Sequence, residues 1–270
     1  MAPSFIDLQP GSDKAHWKLP LAERFCVGPP GQQFMFGGVG LATAVQALQR
    51  ACERRVIWAA AQYISYARPG STVEWTVTEY TRGKYNTQAT AMGRVGDQLI
   101  ISVNAALGSR PTEFNRQWVV APEVLPPESS RPIIRNRGET ESLHYHMDTR
   151  IAETPGGEVR LSTEDGRVLL WIKPHDEVAI DAEMLAIMAD FVPMGVGRAL
   201  GTNRGGNSLD NTIRIHQVVP TRWVLGDLQI SAVHDGFGHG RMSLFAETGE
   251  LMATAGQSLI IRKFPDAPAP

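Results

Sequence analysis

The sequence predicts an α+β protein made of two copies of one unit, in which a run of antiparallel strands follows a single helix. The first observation is an internal repeat, because residues 72–107 overlay residues 225–260 at a constant offset of 153. The second is a shared turn glycine, since Gly83 falls on Gly236. The third is one helical pattern upstream of each strand run. A helix followed by antiparallel strands is the α+β order, with the helix packed on one face of the sheet.

The first unit begins with an amphipathic helix over residues 41–55. Basic residues at the end of this segment suit the negative end of a helix dipole. Apolar positions then alternate from Val73 to Val77, which is the period of a half-buried strand. Turns are predicted at residues 82–86 and 93–98, where glycine tolerates a positive φ. The apolar stripe of the helix comprises Leu41, Val45, Leu48 and Cys52.

The second unit repeats this order with a more apolar helix over residues 181–192. Acidic residues in its first turn favour a helix start, and its composition predicts that it is largely enclosed. Alternation resumes at Leu228 and Ile230, and a hairpin is predicted at residues 247–250. The glycine-rich segment 192–208 is interpreted as a long connection that forms a mobile rim over a pocket.

The repeat divides the chain into two predicted domains joined by a linker. Residues 1–120 form the N-terminal unit and residues 143–270 form the C-terminal unit. Residues 121–142 are rich in proline and charge, which is the composition of a linker. The predicted site residues lie in both units, with the acid in the second.

Composition excludes several classes of function. The 26 basic and 28 acidic residues leave a net charge of -2, so no overall positive field attracts nucleic acid or an anionic membrane surface. Cys26 and Cys52 show neither a metal-binding spacing nor a disulfide framework, which fits a reducing compartment. No apolar run is long enough for a membrane span, so we expect a cytoplasmic protein without membrane insertion.

The polar residues of the two copies differ at one position. Through the offset, Ser231 overlays Thr78 and Gln257 overlays Asn104, so each copy keeps two neutral polar groups within strands. Asp210 has no counterpart in the first copy. A duplicated fold needs two cores but only one active site, and an acid in a strand-like run is costly if it is buried without a partner. Asp210 therefore needs an explanation that the core alone does not give, and Ser231 and Gln257 are the polar strand positions of the same copy.

The segments that carry these residues resemble the type II acyl-CoA thioesterases, a family of double hot-dog proteins. SLDNTIRIH with Asp210, the strand with Ser231 and the strand with Gln257 resemble its second half. FMFGGVGLATAVQAL and YISYARPGSTVEWTVTEYTRGK resemble its first half. The resemblance covers nearly the whole chain in order. It departs from the family pattern where Tyr63 replaces a common histidine, and where Asn211 and Arg214 replace histidine and tryptophan.

The resemblance implies a double hot-dog fold, an acyl-CoA substrate, a homodimer or higher homo-oligomer, and water activated by an Asp, Ser/Thr and Gln trio. Asp210 would accept the proton of the water, while Ser231 and Gln257 hold the water in place. Backbone N–H groups at the start of the first helix are predicted to bind the oxyanion, because Gly37 and Gly38 allow close approach there.

The remaining predictions concern binding and competing functions. Tyr63 and Arg204 are predicted to bind substrate, with Arg204 meeting a CoA phosphate. Neither a metal nor a cofactor is predicted, because His234 and His239 match no zinc spacing and GGVG lacks the βαβ context of a dinucleotide site. Two alternatives stay open: Asp210 forms a structural ion pair with Arg214 or Arg222, or the protein is a catalytically silent double hot-dog that binds acyl thioesters or a protein partner.

Overall fold

One antiparallel sheet of 14 strands runs through the molecule in the computed structural model, which describes residues 3–133, 142–156, 165–202 and 204–263. Two further short strands, β3 and β4, pair with each other. In chain order the strands are β1 Gln9–Pro10, β2 His16–Pro20, β3 Cys26–Val27, β4 Phe34–Met35, β5 Val56–Tyr63, β6 Thr72–Arg82, β7 Asn86–Val95, β8 Gln98–Gly108, β9 Arg131–Pro132, β10 Met147–Ile151, β11 Arg167–Pro174, β12 Arg204–Ser208, β13 Asp210–Ile215, β14 Val224–His234, β15 Phe237–Ala246 and β16 Leu251–Lys263.

The order of the strands shows the predicted repeat. The first half runs β1-β2-β6-β7-β8-β5, the second runs β13-β16-β15-β14-β11-β10-β9, and β12 also pairs with β16. Strands β6 to β8 and strands β14 to β16 are equivalent meanders. The two halves meet where β5 pairs with β13, with Asn211 opposite Ala61. Because this seam lies in the middle of the sheet, side chains from both halves approach one another there.

The first helix, α1 (Gly37–Cys52), begins four residues before the predicted start. The glycine-rich stretch expected to precede it forms its first turn, where the Phe36 carbonyl accepts from the amides of Val39 and Gly40 at 3.0 and 3.1 Å. Glycine has a low intrinsic helix propensity, which the tertiary packing of this buried segment overrides. The helix ends at Glu53, whose φ of 54° is left-handed.

The second predicted helix, residues 181–192, is in fact broken. It forms α2 (Ala182–Met188), a short 3₁₀ turn (Ala189–Phe191) and α3 (Val192–Ala199). Pro193 lies in the first turn of α3 and has no N–H to donate to the carbonyl four residues earlier, so the α-helical hydrogen bonding is interrupted there. The interpretation of residues 192–208 as a long connection was also wrong, since Val192–Ala199 form α3 and Arg204–Ser208 form β12.

The core joins the two halves. Buried residues of α1, α2 and both meanders form one continuous apolar cluster, in which α1 packs directly against α2. A second, smaller cluster on the other face of the second half includes Trp171, Trp223 and Phe245, and it is covered by Ala121 and Val124 of the predicted linker. The helices therefore lie over the central seam, and their breaks and ends position polar groups beside it.

Candidate active site

Asp190 lies at the break between α2 and α3 and is the buried carboxylate of this region. Its φ of -92° and ψ of 27° depart from helical values, and it is only 3% exposed. Because the backbone of Asp190 departs from the helical conformation, its carboxylate points toward the first turn of α1 and the central strands. A buried carboxylate requires hydrogen-bond donors, because an unpaired buried charge is very costly.

Three donors from three different elements hold Asp190. The Gly38 amide of α1 donates to Oδ2 at 2.6 Å, and Ser208 Oγ at the end of β12 donates to Oδ1 at 3.1 Å. Gln257 Nε2 of β16 also donates to Oδ1, and it donates to Ser208 Oγ at 2.6 Å. The partners therefore come from both halves of the chain, and one of them is the N-terminus of the central helix, where a negative charge is favoured.

The pKa of Asp190 suits a group that accepts a proton near neutral pH. Burial raises the pKa of Asp190 to about 6, and the hydrogen bonds from Gln257, Gly38 and Ser208 oppose part of that rise. The carboxyl is therefore mostly ionised at neutral pH, yet it is a stronger base than an aspartate in water.

Gly37 and Gly38, which were predicted to allow close approach, lie where α1 packs tightly against α2 and Asp190. A methyl group on Gly37 would lie 2.7 Å from Asp190 Oδ2 and 3.0 Å from Tyr63 Cζ. A methyl group on Gly38 would lie 2.7 Å from the carbonyl oxygen of Ile187 in α2. Both distances are shorter than a carbon atom tolerates, so side chains here would push α1 away from α2 and from the carboxylate.

The repeat helps to explain why Gln257 contacts Asp190. In the first half, the equivalent residue Asn104 lies opposite Thr90 and accepts a hydrogen bond from its hydroxyl at 3.0 Å. In the second half, Gln257 lies opposite Gly240, which offers no side chain. The Gln257 amide is therefore available to Asp190.

Asp210 lies outside this cluster of hydrogen bonds. Its Oδ1 accepts from the Ser258 amide at 2.8 Å, at the place where the chain leaves β12 and enters β13. The carboxylate thus supplies an acceptor where the two short strands meet β16, which keeps Ser208 and Gln257 on the same side as Asp190. The hydrogen-bond partner of Asp210 is thus a backbone amide and not the Arg214 or Arg222 considered from the sequence.

Ser231 also lies outside the cluster. It is exposed at the bulge of β14 between Ile230 and Ala232, and the hydrogen bonds of the described residues include none from Ser231 to Asp210 or Gln257. The structure therefore does not bring the predicted trio together. The serine beside Gln257 is Ser208, and the acid is Asp190.

Tyr63 reaches the site from the end of β5. Its hydroxyl is buried although part of the residue is accessible, and burial raises the pKa of Tyr63 well above its ordinary value, with further contributions from Asp190 and Asp210. Asn211 on β13 is fully buried beside it. Arg204 begins β12, but its side chain lies outside the described part of the chain.

Other features of the described residues lie away from this site. A surface pocket of about 310 Å³ lies at the C-terminal end of α1, where Cys52, Glu79 and Arg82 line it. At 1.5 Å per residue, this end of the helix is roughly 22 Å from its first turn. Within the described ranges, no group of three or more histidine, cysteine, aspartate or glutamate side chains is arranged to hold a metal ion. None of the helices there has both the length and the apolar character needed to cross a membrane.

Two helix-on-sheet units that share one continuous sheet, with a buried acid at the first turn of the central helix, define a double hot-dog protein. The family model of the acyl-CoA thioesterase C-terminal domain matches residues 121–261. The structure of a candidate thioesterase from Novosphingobium aromaticivorans is 31% identical, with a TM-score of 0.87 over 96% of this chain and 100% of that chain. The chain therefore belongs to the acyl-CoA thioesterase family, and it is a TesB-like enzyme of that family.

More distant solved structures share the fold. A tesB protein from Mycobacterium avium subspecies paratuberculosis is 17% identical, with a TM-score of 0.77 over 95% of this chain and 96% of its own. A hot-dog protein from Alicyclobacillus acidocaldarius is 15% identical, with a TM-score of 0.81 over 96% of this chain and 97% of its own. No curated protein matches the chain. These likenesses confirm the predicted double hot-dog architecture.

Sequence reasoning missed Asp190 and Ser208. Asp190 carries one available signal, because it is an acid within an otherwise apolar helical segment that was itself predicted to be enclosed. The three-residue distance from Asp190 to Pro193 is a second signal, since proline breaks the helix near the acid. Ser208 carries no signal of its own in the sequence.

Proposed function

We propose that this enzyme hydrolyses acyl-CoA thioesters with Asp190 as the general base, and with Ser208 and Gln257 holding the base and its water. The observation that carries this proposal is a carboxylate with a pKa of about 6, buried at the start of α1 and fixed by Gly38, Ser208 and Gln257. The roles predicted for Asp210 and Ser231 pass to Asp190 and Ser208, while Gln257 keeps its predicted role.

The proposed reaction needs no covalent intermediate on the protein. Asp190 accepts a proton from water as the water oxygen bonds to the thioester carbonyl carbon, and the carbonyl electron pair moves to its oxygen. When the tetrahedral intermediate collapses, the C–S bond breaks and the CoA sulfur leaves with its electron pair. The proton held by Asp190 then passes to that sulfur, so the products are a carboxylic acid and CoA thiol.

The Gln257 side chain has one atom free for the water. Its Nε2 is engaged with Asp190 and Ser208, whereas its Oε1 is buried and has no hydrogen-bond partner. A water held between the Asp190 carboxylate and Gln257 Oε1 would donate one hydrogen to each. Two acceptors fix both O–H bonds, which leaves a lone pair of the water oxygen directed at the substrate.

The test compares Asp190→Asn with Asp210→Asn in an assay of CoA thiol release across acyl-CoAs of different chain length. Asparagine is nearly the same size as aspartate but is not a base, so we expect Asp190→Asn to lower kcat by about 10²–10⁴-fold. Asp210→Asn keeps an oxygen that accepts from the Ser258 amide, so its kcat should stay within about threefold of wild type.

The opposite ranking of the two variants would return the catalytic role to Asp210. Saturable binding of acyl-CoA by the wild-type protein without release of thiol would support the silent binding module. The homodimer and the cytoplasmic location stay predictions, and analytical ultracentrifugation of the full chain would test the first of them.

A further inference from the structure

Four buried polar atoms around Asp190 make no hydrogen bond of good geometry to any residue that the structure describes. They are Tyr63 Oη, both amide atoms of Asn211, and Gln257 Oε1. An unpaired buried polar group is destabilising, and native proteins pair nearly all such groups. A concentration of unpaired groups beside one carboxylate therefore indicates a position that a bound polar molecule fills.

The seam between the two halves brings Tyr63 and Asn211 together. The Tyr63 amide donates to the Leu209 carbonyl at 3.0 Å, and Asn211 lies opposite Ala61. Residues 61 and 63 face the same side of β5, so Tyr63 and Asn211 are diagonal neighbours across the seam. The small side chain of Ala61 leaves room between them.

The same two side chains also approach the base. A methyl group on Gly37 would lie 3.2 Å from Tyr63 Oη and 2.7 Å from Asp190 Oδ2, so the hydroxyl and the carboxylate flank the same backbone position. The Asn211 side chain lies within weak hydrogen-bonding reach of both Asp190 and Tyr63, and these weak hydrogen bonds lower the pKa of both groups. The unpaired groups and the proposed base thus lie together at the seam.

The unpaired atoms divide by chemistry into two sets. Gln257 Oε1 and Asn211 Oδ1 are acceptors, of which Gln257 Oε1 suits the attacking water, whereas the Tyr63 hydroxyl and the Asn211 Nδ2 group can donate. A developing oxyanion needs donors. The Gly38 amide, which was expected to serve the oxyanion, is already engaged with Asp190 at 2.6 Å.

We propose that Tyr63 Oη and Asn211 Nδ2 form a side-chain oxyanion hole across the seam, donating two hydrogen bonds to the thioester carbonyl oxygen. This inference rests on the proposed function, because it needs Asp190 or an equivalent base to activate the water. It assigns a catalytic role to two positions at which this chain departs from its family's common histidines. The two halves then contribute one donor each.

The kinetic test is Tyr63→Phe, with Tyr66→Phe as the matched control. Tyr66 is a neighbouring exposed tyrosine whose hydroxyl accepts from Asn207 at 2.8 Å. Loss of one oxyanion donor typically lowers kcat by about 10²–10³-fold, and we expect that loss for Tyr63→Phe with KM changed less than about threefold. Tyr66→Phe should keep its kcat. Equal kcat in Tyr63→Phe and wild type would overturn the assignment.

Stability separates this role from a structural one. Removal of a hydroxyl that holds the fold would lower Tm, whereas Tyr63 Oη makes no hydrogen bond of good geometry to a described residue. We expect Tyr63→Phe and Asn211→Leu to unfold at or above the wild-type Tm while kcat falls. A lower Tm in both variants would show that the two groups serve the structure and would contradict the proposal.

A spectroscopic test distinguishes failure of this inference from failure of the proposed function. The probe is an acyl-CoA analogue in which CH₂ replaces sulfur, with ¹³C at the ketone carbon. Hydrogen bonds to the ketone oxygen should move its ¹³C resonance downfield on binding to wild type and to Asp190→Asn, and Tyr63→Phe should lose much of that shift. An unchanged shift in Tyr63→Phe would refute the oxyanion hole, whereas full activity of Asp190→Asn would refute only the base.

Discussion

At the scale of single residues, the two aspartates show how environment decides chemistry. Asp190 and Asp210 are both held by backbone amides, at 2.6 and 2.8 Å respectively. Only Asp190 is fully enclosed, and burial raises its pKa to about 6. The ionisation of Asp190 therefore changes not far below neutral pH.

The hydroxyl of Ser208 affects the pKa of Asp190. Its hydrogen bond lowers the pKa of Asp190, so Ser208→Ala should raise that pKa and move the acid limb of the kcat profile to higher pH. Hydrogen bonds to charged groups contribute about 1.5–3 kcal/mol, and roughly 1.4 kcal/mol corresponds to one pKa unit, so we expect a displacement of about one unit.

The control for Ser208→Ala is Ser231→Ala, which removes the exposed serine first predicted for the site. Profiles of kcat against pH from 4.5 to 9 would be compared for both variants and wild type. A displacement in Ser231→Ala, or none in Ser208→Ala, would contradict the assignment of the hydroxyl.

At the scale of elements, the first turn of α1 and the break after α2 form the site together. Glycine in a helix costs about 1 kcal/mol relative to alanine, so Gly38 requires a local reason. That reason is the carbonyl of Ile187, which would lie 2.7 Å from a methyl group at this position. Contact between α1 and α2 is thus what brings the Gly38 amide to Asp190.

Gly38→Ala should therefore separate the two helices, which lowers the free energy of unfolding by about 1–3 kcal/mol and weakens the hold on Asp190. Gly40→Ala is the matched control in the same helix, because a methyl group there meets the side-chain ends of Ile101 and Met35 at 3.1 Å and the Tyr63 ring at an ordinary 4.0 Å, and no backbone. Thermal unfolding and kcat of the two variants check this prediction. A Gly38→Ala protein as stable and active as Gly40→Ala would contradict it.

At the scale of the whole molecule, polar contacts between the halves make stability depend on pH. Gln49 of α1 donates to Glu183 of α2 at 3.1 Å, and Glu183 is buried. Burial raises the pKa of Glu183 to about 7, and the neighbouring Asp181 adds to the rise. The folded state therefore binds a proton more tightly than the unfolded state, where glutamate titrates near 4.5.

The sign of the effect follows from proton linkage. Between about pH 4.5 and 7 the folded state carries more protons at Glu183 than the unfolded state, so this contribution to stability is present at low pH and is lost as pH rises. Glu183→Gln keeps the hydrogen bond to Gln49 without a titrating charge. The difference in Tm between Glu183→Gln and wild type should increase by a few degrees as the pH rises from about 4.5 to 7, and it should stay constant at higher pH.

Thermal unfolding of both proteins from pH 4.5 to 8 checks that prediction, since other carboxylates affect both proteins alike. A Tm difference that is independent of pH would show that Glu183 titrates normally in the folded protein.

Features set by neighbouring residues could be predicted from the sequence, whereas features set by distant contacts could not. Local periodicity predicted α1 and the two meanders, because strand alternation and the helical stripe are visible in neighbouring residues. The pairing of β5 with β13 joins residues that are far apart in the chain, and no local pattern marks it. The offset of 153 identified Asp210 by its missing counterpart, but it carried no information about burial. Burial at the break beside Pro193 distinguishes Asp190, and it emerges only when α1, α2 and β16 pack together.

The most direct test of the central claim is the dependence of kcat on pH for wild type and Asp210→Asn with one good acyl-CoA substrate. If Asp190 is the base, activity rises with pH along a single acid limb with an apparent pKa near 6, because the ionised carboxylate is the active form. The limb should be retained in Asp210→Asn. A profile without a limb between pH 5 and 7, or a limb that disappears in Asp210→Asn, would contradict the account.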